Sequence, residues 1–315
     1  MREESSKLVE NWLYNGRWEM LYKLKFTNEI GQSITFETEK KGGVFVQPDS
    51  PASMKFQGYK LIAFEDGMKA DIHTQKSYNQ DGSTHIMTTL EERYPYLEFI
   101  MVADDYDELS RLRRNAARVF NPKFKVDVLL SQGGNSYKLT VIPESAVNFI
   151  SEDAVGRTQI GTVSMVSPNS YWESSEVYSQ EIVSWIGGLT FPLKLPTEFS
   201  LKGEEVVNVI NRGDAPAPVE ILISGKATNP KIINKSTGEF IKVNRELQED
   251  DQLRITTGFG DKRVEQNGVS VFNYIDLEST FFNLRMGDNL IEMLTEDLND
   301  LASIKISYQD RYIGV

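Results

Sequence analysis

Alternation of apolar and polar residues, broken at short intervals by turn-forming residues, is the feature that most narrows what this chain can fold into. Between Trp18 and Phe26, the residues Trp18, Met20, Tyr22, Leu24 and Phe26 fall on one side and Glu19, Lys23 and Lys25 on the other, with Leu21 the exception. Successive side chains of a strand point to opposite faces, so this run predicts a strand with one buried face. Asn28-Glu29-Ile30-Gly31 then supplies turn chemistry, and Ile34 with Phe36 resumes the alternation, which predicts a hairpin. Further strands are expected at Val44–Val46, Tyr59–Phe64, Tyr96–Ala103, Lys125–Leu130 and Tyr137–Ile142, the last two flanking Gln132-Gly133-Gly134-Asn135. The polar stretch from Thr74 to Thr84, which contains Asp81-Gly82, reads as a surface loop rather than a site.

The same rhythm returns in the second half of the chain. Strands are expected at Val206–Ile210, Val219–Ile223, Lys231–Ile233, Phe240–Val243, Gln252–Thr256, Lys262–Val264, Val269–Tyr274, Asn289–Met293 and Ile304–Tyr308. Turn signals at Asn211-Arg212-Gly213-Asp214, Ser236-Thr237-Gly238, Gly258-Phe259-Gly260 and Met286-Gly287-Asp288 separate most of them, which describes an antiparallel β-sandwich. Residues 145–205 differ: Pro168, Pro192, Pro196 and Gly187-Gly188 punctuate short apolar pieces such as Ile160–Val166, and the stretch reads as a connecting region. The fold class is therefore mainly β in two domains. An N-terminal extension covers 1–19, a first domain 20–148, and a linker with a second sandwich 149–315, whose last strand has two possible homes.

Two helices are expected. Asp104-Asp105 precede Tyr106–Phe120, where Leu109, Leu112, Ala116, Val119 and Phe120 share a face, and Asn121-Pro122 ends the run. Asp104, Asp105, Asp107 and Glu108 read as an acidic helix start, since a hard-cation loop would alternate its oxygen ligands around a Gly. Arg111, Arg113, Arg114 and Arg118 read as a solvated face or a subunit contact rather than a phosphate patch. Leu8, Val9, Trp12 and Leu13 have helical spacing after Ser5-Ser6, and a helix this short needs something to pack on.

Composition removes several classes of function. The chain of 315 residues carries 34 Lys plus Arg against 46 Asp plus Glu, a formal charge of −12, which speaks against a dedicated nucleic-acid binder. It contains no Cys, so neither a disulfide framework nor a thiolate metal site is available. His73 and His85 are its two histidines, few candidates for imidazole acid–base chemistry. No apolar run approaches the roughly 20 residues that span a bilayer, and the opening Met-Arg-Glu-Glu-Ser-Ser-Lys leads into no apolar secretion signal. Gly258-Phe259-Gly260 is followed by no helix, so it is no nucleotide loop, and Asn234-Lys235-Ser236 is a sequon without a secretory context. No catalytic, cofactor-binding or metal-binding residue is assigned. Tyr171, Trp172, Tyr178 and Trp185 offer aromatic faces of the kind that stack on sugar rings, but a hydrophobic seam between the domains accounts for them better.

Taken in order, several of these motifs resemble a known family. Met20-Leu21-Tyr22-Lys23-Leu24-Lys25-Phe26-Thr27-Asn28, running into Gly31 and Ile34-Thr35-Phe36, looks like the start of the distal tail proteins of siphophages that infect Gram-positive bacteria. The helix closing on Asn121-Pro122, the hairpin Gly134-Asn135-Ser136-Tyr137-Lys138-Leu139-Thr140-Val141 and Ser167-Pro168-Asn169-Ser170-Tyr171-Trp172 are similar to theirs. The strongest match lies further on, in Asn211-Arg212-Gly213-Asp214-Ala215-Pro216, Ile221-Leu222-Ile223-Ser224-Gly225, Asn229-Pro230-Lys231-Ile232, Ser236-Thr237-Gly238, Phe281-Phe282 and Gly287-Asp288-Asn289. The resemblance runs from about Leu21 to Val315, with temperate staphylococcal members nearest in pattern, and residues 1–19 precede it.

The resemblance implies a tail-tube-like first domain that forms a hexameric ring and a galectin-like second domain outside it. It also implies a virion protein of the tail tip, made in the bacterial cytoplasm and not an enzyme. Its implied partners are further copies of itself, the major tail (tube) protein, the tail-associated lysin or tail fibre protein, the tape measure protein and receptor-binding proteins. DNA would pass through the channel unbound, and no membrane contact is implied. The alternative is a cell-wall carbohydrate-binding module of a tail or cell-surface protein.

Overall fold

The computed structural model describes residues 22–37, 58–150, 157–183, 206–297, 300 and 302–315. The expected helix at Leu8–Leu13, residues Trp18–Leu21, the strand at Val44–Val46, and Trp185 with Gly187-Gly188, Pro192 and Pro196 lie outside the described residues. The chain divides into two compact units, Met1–Trp172 and Glu173–Val315.

The first unit contains β1 (Tyr22–Asn28), β2 (Ser33–Glu37), β3 (Gly58–Glu65), β4 (Ala70–Gln75), β5 (Thr84–Leu90), β6 (Tyr96–Val102), helix α1 (Tyr106–Val119), β7 (Val126–Gln132), β8 (Asn135–Pro143), β9 (Asn148–Ile150) and β10 (Thr158–Val166). Its main sheet has the order β2-β1-β7-β8-β10-β6-β3, while β4 and β5 pair only with each other. Leu24 and Phe26 of β1, Val126 and Val128 of β7, and Leu139 and Val141 of β8 are all buried, as the alternation requires. Aromatic rings fill the interior: Phe26 lies 5.3 Å from Phe120 and 5.8 Å from Phe36, and Phe99 lies 5.7 Å from Phe36. The sheet curls on itself, for Phe36 near one edge also meets Tyr59 of the other edge strand at 6.3 Å. Gly161 of β10 leaves room for Phe99, since a methyl group there would stand 2.5 Å from the ring.

The expected β1–β2 hairpin forms, closed by Gly31 N–H donating to Asn28 O at 2.9 Å, with Gly31 at φ 81°. Asn28 is buried; its side-chain amide donates to Arg118 O at 3.0 Å and so ties this turn to the end of α1. Leu109, Ala116 and Val119 form the buried face of α1 and Phe120 closes it. Leu112, expected on the same face, is only half-buried, and its carbonyl accepts from Tyr59 Oη at 2.7 Å.

The domain boundary is where the sequence reading is revised. Residues 158–164 pair with Val102–Tyr96 of β6, so much of the expected connecting region is a strand of the first sheet. The reason is legible afterwards: Gln159, Gly161, Val163 and Met165 alternate into the interior. The break falls after Trp172 rather than after residue 148.

The second unit holds β11 (Trp172–Ser174, reaching back one residue), β12 (Tyr178–Val183), β13 (Val206–Asn211), β14 (Val219–Ser224), β15 (Ala227–Thr228), β16 (Lys231–Asn234), β17 (Glu239–Lys242), β18 (Glu246–Leu247), β19 (Gln252–Thr256), β20 (Arg263–Gln266), β21 (Val269–Ser270), β22 (Gly287–Leu294), β23 (Ser303–Tyr308) and β24 (Arg311–Tyr312). One sheet has the order β12-β23-β14-β19-β20-β21 and the other β13-β22-β16-β17. Their inner faces meet in a core that includes Val209, Ile221, Ile223, Ile232, Ile241, Leu253, Ile255, Ile291, Ile304 and Ile306. The strand Ile304–Tyr308 stays in this sandwich, between β12 and β14.

Candidate assembly interface

Among the described residues, strands β4 and β5 pair with no other strand of the first unit. All of β4 is exposed, and so is β5 apart from its last residue, Leu90. The ladder pairs Ala70 with Leu90 and Ile72 with Thr88, which puts these four on one face; His73 and Met87 pair on the other. A register shift follows His73, a bulge that raises the local twist. Residues 76–83 close the hairpin, with Asn79 at φ 59° and Gly82 at φ 77°.

The side chains of this arm are not those of a solvated loop. Ile72 is 61% exposed, Ile86 57%, Met87 50% and Tyr78 95%. A two-stranded hairpin with no covered face is marginal in water, because its ladder hydrogen bonds compete with solvent. Covering the three aliphatic side chains would add about 3 kcal/mol in all, taking about half of a full burial for each. The arm therefore has the chemistry of an element completed by another surface.

Both histidines lie on this arm. His73 Nε2 is 3.3 Å from an Asp71 carboxylate oxygen, and His85 Nε2 is 2.7 Å from Thr88 Oγ1. They stand in the open, on a surface with no walls to exclude water or orient a substrate. The surface loop expected between Thr74 and Thr84 is present at residues 76–83, and it joins the two strands of a hairpin. Ile72, Ile86 and Met87, the exposed large apolar residues of the two strands, lie outside that stretch.

The arm is carried on a hydrogen-bonded root. The side chain of Arg93, just beyond β5, is fully buried, with Nη1 donating to Asp66 Oδ2 at 2.5 Å and Nε to Ser170 O at 2.8 Å. Burial pushes this guanidinium below its ordinary range, and the Asp66 carboxylate pulls it back part of the way.

The other residues singled out by sequence resolve into structural roles. Asp105 caps α1, accepting from Glu108 N at 2.8 Å, while Glu108 Oε2 accepts from Asp104 N at 2.9 Å. Arg111, Arg114 and Arg118 are exposed, whereas the Arg113 guanidinium sits 4.9 Å from the Phe149 ring centre. The aromatic group expected as a hydrophobic seam between the domains is divided between roles. Trp172 is buried and donates its indole N–H to Asp66 at 3.2 Å, and Tyr178 packs on Tyr308 with ring centres 5.6 Å apart. Asn234 of the sequon is buried, its amide donating to Asn289 Oδ1 at 3.2 Å. Gly258-Phe259-Gly260 makes the turn between β19 and β20, with Asp261 N–H donating to Gly258 O at 3.0 Å.

Comparison with known proteins bears on both units. Residues 31–167 match the family described as the phage tail protein RIFT-related domain, and residues 212–312 match the C-terminal domain of the siphovirus-type tail component. No curated protein matches the chain in sequence. Among solved structures, the fold is similar to the Dit protein of phage SPP1, described as a paradigm of the hub adsorption apparatus in phages infecting Gram-positive bacteria. That similarity has a TM-score of 0.61 at 12% identity and covers 91% of this chain and 98% of that one. A chain of the phage P2 baseplate, in its activated conformation with Ca, is similar with a TM-score of 0.51 at 12% identity, over 95% of this chain and 100% of that one.

Proposed function

The chain belongs to the siphophage distal tail component family, and from that premise we propose that it is a structural subunit of the tail tip, built into a hexameric baseplate hub. The observation that carries the reading is the uncovered β4–β5 arm on the unit that matches the tail-protein domain. Identical subunits in a closed ring meet through two different faces, so an arm on one copy needs a receiving surface on the next. The arm supplies one half of such a contact, with exposed Ile72, Ile86 and Met87 as the apolar part to be covered.

In this reading the first unit, proposed as the tail-tube-like ring domain, continues the tube and surrounds a channel. The galectin-like sandwich lies outside the ring and offers its surface to receptor-binding proteins. The major tail protein adjoins the ring above, the tail-associated lysin or tail fibre protein below, and the tape measure protein within. The subunit is made in the bacterial cytoplasm and does its work in the virion. Its role is mechanical, and the formal charge of −12 suits a protein that must let DNA pass without holding phosphate.

Negative-stain microscopy of the pure chain tests this directly. Sixfold rings with peripheral lobes are expected; single two-lobed particles at every concentration would contradict it.

A further inference from the structure

The arm hangs from two short segments, Asp66–Lys69 leaving β3 and Glu91–Pro95 entering β6, and its direction is decided where they cross. We propose that Asp66, Arg93 and Trp172 form a positioning lock that fixes the arm relative to the first sheet, an inference that rests on reading the arm as the assembly device.

Three stretches of chain converge on this lock. Arg93 and Ser167 exchange both backbone hydrogen bonds, at 3.0 and 2.8 Å, which binds the returning segment to residues 167–172. Ser170 Oγ donates to Glu91 O at 2.8 Å in the same sense. The outgoing segment is bound to the returning one by Tyr94 N–H donating to Gly67 O at 3.3 Å. Gly67 has φ 59°, and any side chain there would collide with the Tyr94 carbonyl, so the crossing demands glycine. Over this backbone frame lies the buried fork of Arg93. One arm of the guanidinium reaches Ser170 O and another reaches Asp66 Oδ2, while Trp172 Nε1 donates to that same carboxylate oxygen at 3.2 Å. Asp66 thus accepts from both of the other stretches at once.

Stability alone is a poor reason for such an arrangement. A guanidinium taken out of water is costly, and apolar residues of similar volume would fill the space at least as well. What the ion pair adds is direction, because the guanidinium fork and the indole N–H accept only a narrow range of angles. Direction matters at the end of a lever. An arm of six or seven residues per strand is about 20 Å long, so a tilt of about 10° at the root moves its tip about 3–4 Å. That is one residue of strand rise, enough to misplace Ile72 on one face of the arm and Met87 on the other.

The chain has no Cys, so Ser33→Cys on β2 and Tyr78→Cys on the arm allow two spin labels at chosen exposed positions. Labelled full-length chain, diluted into excess unlabelled chain, reports the distance within one subunit by pulsed dipolar spectroscopy. A single narrow peak is expected in the otherwise unchanged chain. Trp172→Phe keeps an aromatic side chain and the ion pair but removes the donated N–H together with the five-membered ring, while Asp66→Asn removes the charge. Each is expected to broaden or shift the peak by about 3–4 Å, the displacement of a 10° tilt. A broad peak in the parent overturns the lock. So does an unchanged peak in Trp172→Phe, whether or not Asp66→Asn folds. Microscopy of the same samples separates the two claims: a peak that responds in a protein that never forms rings keeps the lock and removes the ring, and rings with an unresponsive peak do the reverse.

Discussion

Two hairpins of the first unit make opposite use of the same chemistry. In β7–β8 a turn with Gly133 at φ 59° and Gly134 at φ 88° joins strands whose paired residues Val126–Val141 and Val128–Leu139 point into the core. In β4–β5 a longer connection, residues 76–83, joins strands that among the described residues bury almost nothing. Both are antiparallel ladders, the second with a bulge after His73, and pairing alone does not hold a hairpin in place; a covered face does. The first hairpin is completed by its own chain. The second leaves its side chains exposed, which is why the proposed assembly contact is placed on it.

The contrast can be broken by mutation, beginning with the largest effect. Phe99→Ala removes a ring at the centre of the aromatic core and is expected to cost about 3–5 kcal/mol in unfolding of the first unit, read by urea titration. Gly161→Ala sets a methyl group against that same ring and is expected to cost about 1–3 kcal/mol, with Phe99→Leu in the same chain restoring part of it. Asp105→Ala removes the cap of the helix that covers the core and is expected to cost about 1 kcal/mol, lowering the melting temperature by a few degrees. Ile72→Ala, on the arm, is expected to change unfolding of a dissociated subunit by less than about 0.5 kcal/mol. A loss as large as that of Phe99→Ala would show that the arm packs on its own subunit.

How far the sequence speaks follows the same line. Strands with one buried face were legible: Val219–Ile223 and Ile304–Tyr308 alternate cleanly, and their inner residues are the observed core. The acidic run before α1 was legible as a cap, because Asp105 and Glu108 have local partners that spacing fixes. Residues 158–166 were obscured because Gly161 and Gln159 occupy inward positions, and neither looks like core in isolation. Trp172 was taken for a seam or a sugar platform since its partner, Asp66, is 106 residues away. The arm was the least legible element. Among the described residues its side chains are exposed, so no inward face imposes a pattern on Ala70–Gln75.

The measurement that bears most directly on the central claim is the mass of an arm-shortened chain. Replacing residues 70–90 with a short Gly-containing turn between Lys69 and Glu91 leaves the root and both cores intact. Light scattering over a concentration series, with circular dichroism as a check on fold, then compares it with the parent. The account predicts a six-subunit mass for the parent and a single-subunit mass for a folded, arm-shortened chain. A shortened chain that assembles as readily as the parent would contradict it.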